Sequence, residues 1–185
     1  DNGKKDPPHW ASRVRAIAAE QPALNERALA WAIVEEMSVR AAPLLMPAFQ
    51  SSGGRAGRLS IQTDPTLYRV AEALVEQAAG FDRLAPNIVV KFPATSVGLV
   101  AMEEASYRGI SVNATVSFSV SQAIAAAEAV QRGIDRREAD GRPTAQMGPV
   151  ITIMMGRLED WLRVLIDRDG ITVHPSALPW SGVAV

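Results

Sequence analysis

Lys91 ends an apolar run, Ile88-Val89-Val90, and directly precedes Phe92-Pro93-Ala94-Thr95. Taking an ammonium group out of water is costly, so a lysine in such a place either reaches solvent or is kept for chemistry. An amine held away from water favours its neutral form, which attacks a ketone to give an iminium. That iminium is an electron sink for breaking a carbon–carbon bond. Further along, Asn113, Thr115 and Ser117 recur at every second position. In a strand all three share one face, and Val112, Val116 and Phe118 share the other. A polar stripe on a covered sheet needs hydrogen-bond partners and suggests a site. The competing reading is a solvated face with ordinary alternation. Ser60, Gln62 and Asp64 have the same spacing earlier in the chain, and Thr152 and Met154 later, with Arg157 just beyond. Arg157 could grip an anionic group with its planar fork, or pair locally with Glu159 or Asp160.

The elements that would position these residues can be read from periodicity. Asp6 before Pro7-Pro8 suggests a helix start, with Trp10, Val14, Ile17 and Ala18 at helical spacing up to Pro22. Asn25 can cap a second helix carrying Leu29, Ile33, Val34, Met37 and Ala41 on one face, ended or kinked by Pro43 and Pro47. Ser51-Ser52-Gly53-Gly54 reads as a turn. The period then changes. Strands are expected over 59–63, 88–92, 110–119 and 150–155, and helices over 66–79, 96–108, 120–132 and 158–166, with a polar loop over 135–148. Gly109 is the expected C-terminal stop of the 96–108 helix. Strands alternating with helices at this spacing imply βαβ units and a parallel sheet, an α/β fold. The polar positions then gather at the C-terminal strand ends, where α/β folds place their sites.

Composition narrows the function classes. The 185 residues include no cysteine, are 48% hydrophobic and 21% charged, and carry a formal net charge of -1. That balance suits a globular domain and argues against nucleic-acid or membrane-surface partners, which favour a basic excess. Without cysteine there is no disulfide or thiolate site, and the two histidines, His9 and His174, are too few for a histidine-rich metal site. No apolar run is long enough to span a bilayer and no leader is visible, so the cytoplasm is the expected compartment. Gly53-Gly54-Arg55-Ala56-Gly57 lacks the Lys-Ser/Thr of a phosphate loop. Asp167-Arg168-Asp169-Gly170 is expected to be a turn, not a calcium loop.

Four segments, in order and at matching spacing, resemble transaldolases. Val89-Val90-Lys91-Phe92-Pro93-Ala94-Thr95 resembles the family's Schiff-base lysine motif, and Gly109 to Ser119, with Asn113-Ala114-Thr115, resembles the strand that follows it. Ser60-Ile61-Gln62-Thr63-Asp64-Pro65 resembles the strand before the lysine, and Met154-Met155-Gly156-Arg157-Leu158-Glu159-Asp160-Trp161 resembles a later segment with arginine and tryptophan. The resemblance covers about Leu59 to Val185. It implies a (β/α)8 TIM barrel in a single domain, with residues 1–50 as a helical segment and 58–185 as β/α units. It also implies transfer of a dihydroxyacetone unit from a ketose or ketose phosphate to an aldose, as in the pentose phosphate pathway, without metal or organic cofactor. Lys91 would be the Schiff-base nucleophile. Asn113, Thr115 and Ser117 would bind substrate hydroxyls or orient water, Thr152 would replace a family serine, and Arg157 would take a phosphate. Partners would be sugars or sugar phosphates, and homo-oligomerisation is left open.

Two departures qualify the resemblance. Gln62 stands where transaldolases usually carry a glutamate, and a glutamine there is similar to the related fructose-6-phosphate aldolases, lyases that release dihydroxyacetone. Met154 stands where an aromatic is common. A non-catalytic barrel relative is a further alternative. Four expected strands also cannot close a barrel that needs eight. The expectation is an incomplete barrel, beginning after the family's second strand and stopping before its seventh.

Overall fold

The computed structural model describes residues 7–172. Among these are six α-helices and one four-stranded parallel sheet. In chain order they are α1 (Pro7–Glu20), α2 (Glu26–Ser51), β1 (Leu59–Gln62), a 3-10 turn (Pro65–Leu67), α3 (Ala71–Asp82), β2 (Ile88–Pro93), α4 (Ser96–Arg108), β3 (Val112–Thr115), α5 (Val120–Ala139), β4 (Val150–Ile151) and α6 (Met155–Asp169). The sheet order β1-β2-β3-β4 follows the chain, as successive βα units require. The α/β class expected from the alternating pattern is thus observed. No helix among the described residues is long and apolar enough to cross a membrane.

The chain divides into two compact units, residues 1–59 with 83–88, and residues 60–82 with 89–185. In the first, Asn25 caps α2 by accepting the Ala28 N–H at 2.9 Å. α2 runs through both Pro43 and Pro47, so neither ends it, ending being the first of the two outcomes expected for them. Both prolines lie on the exposed side, with Val39 at 46% exposure one turn before Pro43. The backbone hydrogen bonds that the prolines forgo therefore fall where water can replace them. Asn87, fully buried, donates from Nδ2 to the carbonyls of Ala42 and Gly57, each at 2.9 Å. His9, one of the two histidines, lies 3.2 Å from Arg40 Nη1. His174 lies outside the described residues.

In the second unit the sheet's two faces differ in kind. Ile61, Val90, Phe92, Val112 and Ala114 are at most 3% exposed and form the apolar face. β3 packs there on α4 and α5, whose Ala101, Met102, Ala105, Ala126 and Ala129 are fully buried. Small side chains let these two helices approach closely. Gly133 is at the crossing, and a Cβ added there would lie 2.2 Å from the Glu103 carbonyl oxygen and 2.7 Å from Ser106 Cβ. Alanine gains up to ~1 kcal/mol of helix propensity over glycine, but overpacking costs about 1–3 kcal/mol. The overlap here is with backbone, which yields little, so overpacking should win. Gly133→Ala is expected to lower stability by about 1–2 kcal/mol, read as a lower urea midpoint at unchanged slope. An unchanged or higher midpoint would show that the helices separate at no cost. On the outer side of the same pair, Arg132 donates to Glu103 at 2.8 Å and holds that carboxyl below its usual range, with Arg136 assisting and partial burial opposing.

The strand and helix limits depart from the sequence reading at several places, and the helix expected over 66–79 is observed as the 3-10 turn followed by α3. The third strand stops at Thr115 and not Ser119, because Val116 has φ 53°, which takes the chain out of extended geometry. The fourth strand shrinks to Val150–Ile151, and α6 begins at Met155, so Arg157 lies in the first turn of a helix. α5 runs on to Ala139, shortening the loop expected over 135–148. Asp167-Arg168-Asp169 belongs to the end of α6, and Gly170 closes that helix with φ 61°. The expected stop at Gly109 is observed, with φ 91°.

Candidate active site

The site is built on the sheet face opposite the apolar one. In a parallel pair, residues in register point to the same side. Lys91 is paired with Asn113, and Pro93 with Thr115, so Lys91 and Asn113 stand side by side on β2 and β3. Asn113 is bonded on both ends of its amide. Its Nδ2 donates to Ser60 Oγ on β1 at 3.2 Å, and its Oδ1 accepts the Thr152 hydroxyl, just past β4, at 2.9 Å. These bonds place Ser60 and Thr152 on the same face as Asn113 and Lys91. β1, β2, β3 and the residue following β4 thus contribute to one polar row at the level of Lys91. Neighbouring strands lie about 4.8 Å apart, so a side-chain bond from β3 to β1 fits a sheet curving inward on this face.

Gln62, two residues after Ser60 and exposed, ends β1 on that face. Its Nε2 donates to the Lys91 carbonyl at 3.2 Å, and that oxygen also accepts Thr63 N–H at 3.1 Å and Thr63 Oγ at 3.0 Å. The Lys91 backbone is therefore fixed while its side chain is half-exposed. Pinning the backbone in this way sets the direction of the lysine stem. Asp64 does not continue the stripe of Ser60 and Gln62. It is 4% exposed and caps the 3-10 turn, accepting Thr66 N–H at 2.9 Å and Thr66 Oγ at 2.8 Å.

Thr115 is buried, and its hydroxyl donates to Met154 Sδ at 3.4 Å. The same sulfur accepts Val116 N–H at 3.2 Å, and Met154 N–H donates to the Ser117 carbonyl at 2.7 Å. Met154 thus holds the turn after β3, a role that the sequence did not signal. The stripe expected from Asn113, Thr115 and Ser117 holds for the first two only. Ser117 lies beyond the Val116 turn, is fully buried, and leaves its Oγ without a partner among the described residues. Sequence alternation missed this because a β-branched residue at positive φ is rare.

Arg157 is exposed in the first turn of α6, and it makes no hydrogen bond or ion pair among the described residues. The local pairing weighed for it is not formed, since Glu159 is taken by Arg163 at 2.6 Å. No side chain caps the start of α6 at Met154, so its first N–H groups remain open to an anion.

A family model described as transaldolase/fructose-6-phosphate aldolase matches residues 8–178. The chain belongs to the transaldolase/fructose-6-phosphate aldolase family. Among curated relatives, transaldolase 2 of Streptomyces avermitilis is 30% identical over 178 residues, covering 95% of this chain and 47% of that protein. The transaldolase of Thiobacillus denitrificans is 31% identical over 154 residues, 82% of this chain and 42% of that protein. Transaldolase 1 of Streptomyces avermitilis is 36% identical over 121 residues, 64% of this chain and 32% of that protein. The chain thus spans less than half the length of these transaldolase relatives. Its family membership agrees with the resemblance read from the four motifs.

Proposed function

We propose that the protein carrying this chain is a transaldolase-type enzyme acting through an iminium on Lys91. The observation that carries this reading is the placement of Lys91 in register with Asn113, within a row of hydroxyl and amide groups. The Lys91 amine would add to a ketose carbonyl and, with uptake of one proton and loss of water, give the iminium. The C3–C4 bond would then break, its electrons passing into the iminium to form an enamine, while the C4 hydroxyl gives up its proton and the aldose leaves. The enamine carbon would attack a second aldehyde, and hydrolysis would free Lys91. Asn113, Thr115 and Thr152 offer donors and acceptors for sugar hydroxyls. Ser117, with its buried unpartnered hydroxyl, is proposed for substrate contact with less geometric support than the other three. A radiolabelled ketose phosphate with an unlabelled aldose should yield a new labelled ketose. Absence of both label transfer and dihydroxyacetone release over a range of ketoses would sink the proposal.

A lyase reading is favoured by one observation, the amide at Gln62. An amide can orient water but cannot take its proton. Arg157, with the open helix start beside it, is proposed as the anchor for a substrate phosphate. Arg157→Ala should raise KM for a phosphorylated ketose by about 10- to 100-fold, the scale of a charged hydrogen bond, and leave that for a non-phosphorylated ketose nearly unchanged. Equal losses with both substrates would make Arg157 structural.

A further inference from the structure

We infer that Ser60 is a positioning residue for the reaction, acting through Asn113; the inference rests on the iminium reading above. An asparagine amide has two nearly isosteric orientations, one presenting N–H and the other C=O to a given side. Asn113 is bonded at both ends of its amide. Thr152 can bond to either end, because a hydroxyl both donates and accepts. Ser60 has the same freedom, so neither alone dictates the orientation. Together they confine the amide to the plane that joins β1 to β4, across β2 at the level of Lys91. Asn113 Nδ2 has one hydrogen on Ser60 and a second left over. That second N–H is available to a substrate oxygen carried on the adjacent Lys91. Without Ser60 the amide keeps only Thr152 and can rotate about its last torsion, which is broad for asparagine.

Nothing in the Ser60 neighbourhood calls for a packing role. Its side chain is exposed, and the core residue of β1 is its neighbour Ile61. Loss of its hydroxyl should therefore leave the fold intact and act on turnover. In Ser60→Ala the transfer rate at saturating substrate should fall about 5-fold, the scale of one neutral hydrogen bond, with KM little changed. Ser60→Thr, which keeps the hydroxyl, should restore it. Borohydride trapping on Lys91 should persist in both variants, because iminium formation does not need the amide. In an Asn113→Ala background the Ser60→Ala change should cost nothing further, since the residue through which Ser60 acts is gone. An undiminished rate in Ser60→Ala, or the same loss in both backgrounds, would overturn the inference. A readout independent of turnover is the side-chain amide signal of Asn113 in a nitrogen–proton NMR spectrum, identified by its loss in Asn113→Ala. It should shift and exchange faster with water in Ser60→Ala but not in Ser60→Thr. An unmoved signal contradicts the inference even if the protein proves to have no iminium chemistry, whereas absent trapping with a moved signal refutes only the proposed function.

Discussion

Lys91→Ala is expected to abolish the borohydride-stable adduct and to lower turnover by a factor on the order of 10⁴ or more, the scale seen when a nucleophile is removed. Among the described residues Lys91 is the only lysine. The substitution should spare the fold. The three hydrogen bonds at position 91 are made by the backbone carbonyl, which alanine retains. The lost stem is half-exposed, so the stability change should stay within about 1 kcal/mol. Activity should be read together with thermal unfolding. Undiminished trapping in a folded Lys91→Ala protein would remove Lys91 from the mechanism.

The second large effect is expected at Gln62. After cleavage, the three-carbon unit on Lys91 either meets an aldehyde or is hydrolysed, and both routes need protons moved by water. Gln62 can only orient that water. Gln62→Glu adds a proton carrier, and general acid–base groups contribute about 10²–10⁴-fold. The substitution also removes a donor. A carboxylate cannot give the Lys91 carbonyl the hydrogen bond that Nε2 makes at 3.2 Å, so it should turn away from that oxygen and into the polar face. The Lys91 backbone keeps both of its bonds from Thr63, so the structural cost should stay near 1 kcal/mol. The expected result is faster proton transfer and a higher ratio of transfer to free dihydroxyacetone, measured by product analysis with an added aldose. An unmoved ratio would show that Gln62 does not control partitioning, and the lyase reading would lose its main support.

Much of this arrangement was legible because a βα repeat writes itself in period and punctuation. The apolar run Ile88-Val89-Val90 marked β2, and Gly109 marked the end of α4. Polar residues at strand ends marked the face that carries Lys91. What was not legible depends on contacts between distant segments. Val116 takes a positive φ that its residue type disfavours, with Met154, 38 residues on, accepting its N–H. That turn ended β3 early and took Ser117 off the stripe. Pro43 and Pro47 argued locally for an end or a kink in α2, but at their exposed positions the helix runs on through both. Nor does any local pattern tell that Ser60, Asn113 and Thr152 would join, since the bonds span 53 and 39 residues of sequence.

The most direct test of an iminium on Lys91 is to trap the working protein. Ketose and borohydride are added together, the protein is digested, and the modified peptide is found by mass spectrometry. The chain's three lysines fall into two well-separated places, Lys4-Lys5 and Lys91, so peptides distinguish them. A reduced three-carbon adduct on Lys91, dependent on the ketose, is the expected result. An adduct confined to Lys4 or Lys5, or turnover of ketose with no adduct at all, would contradict it.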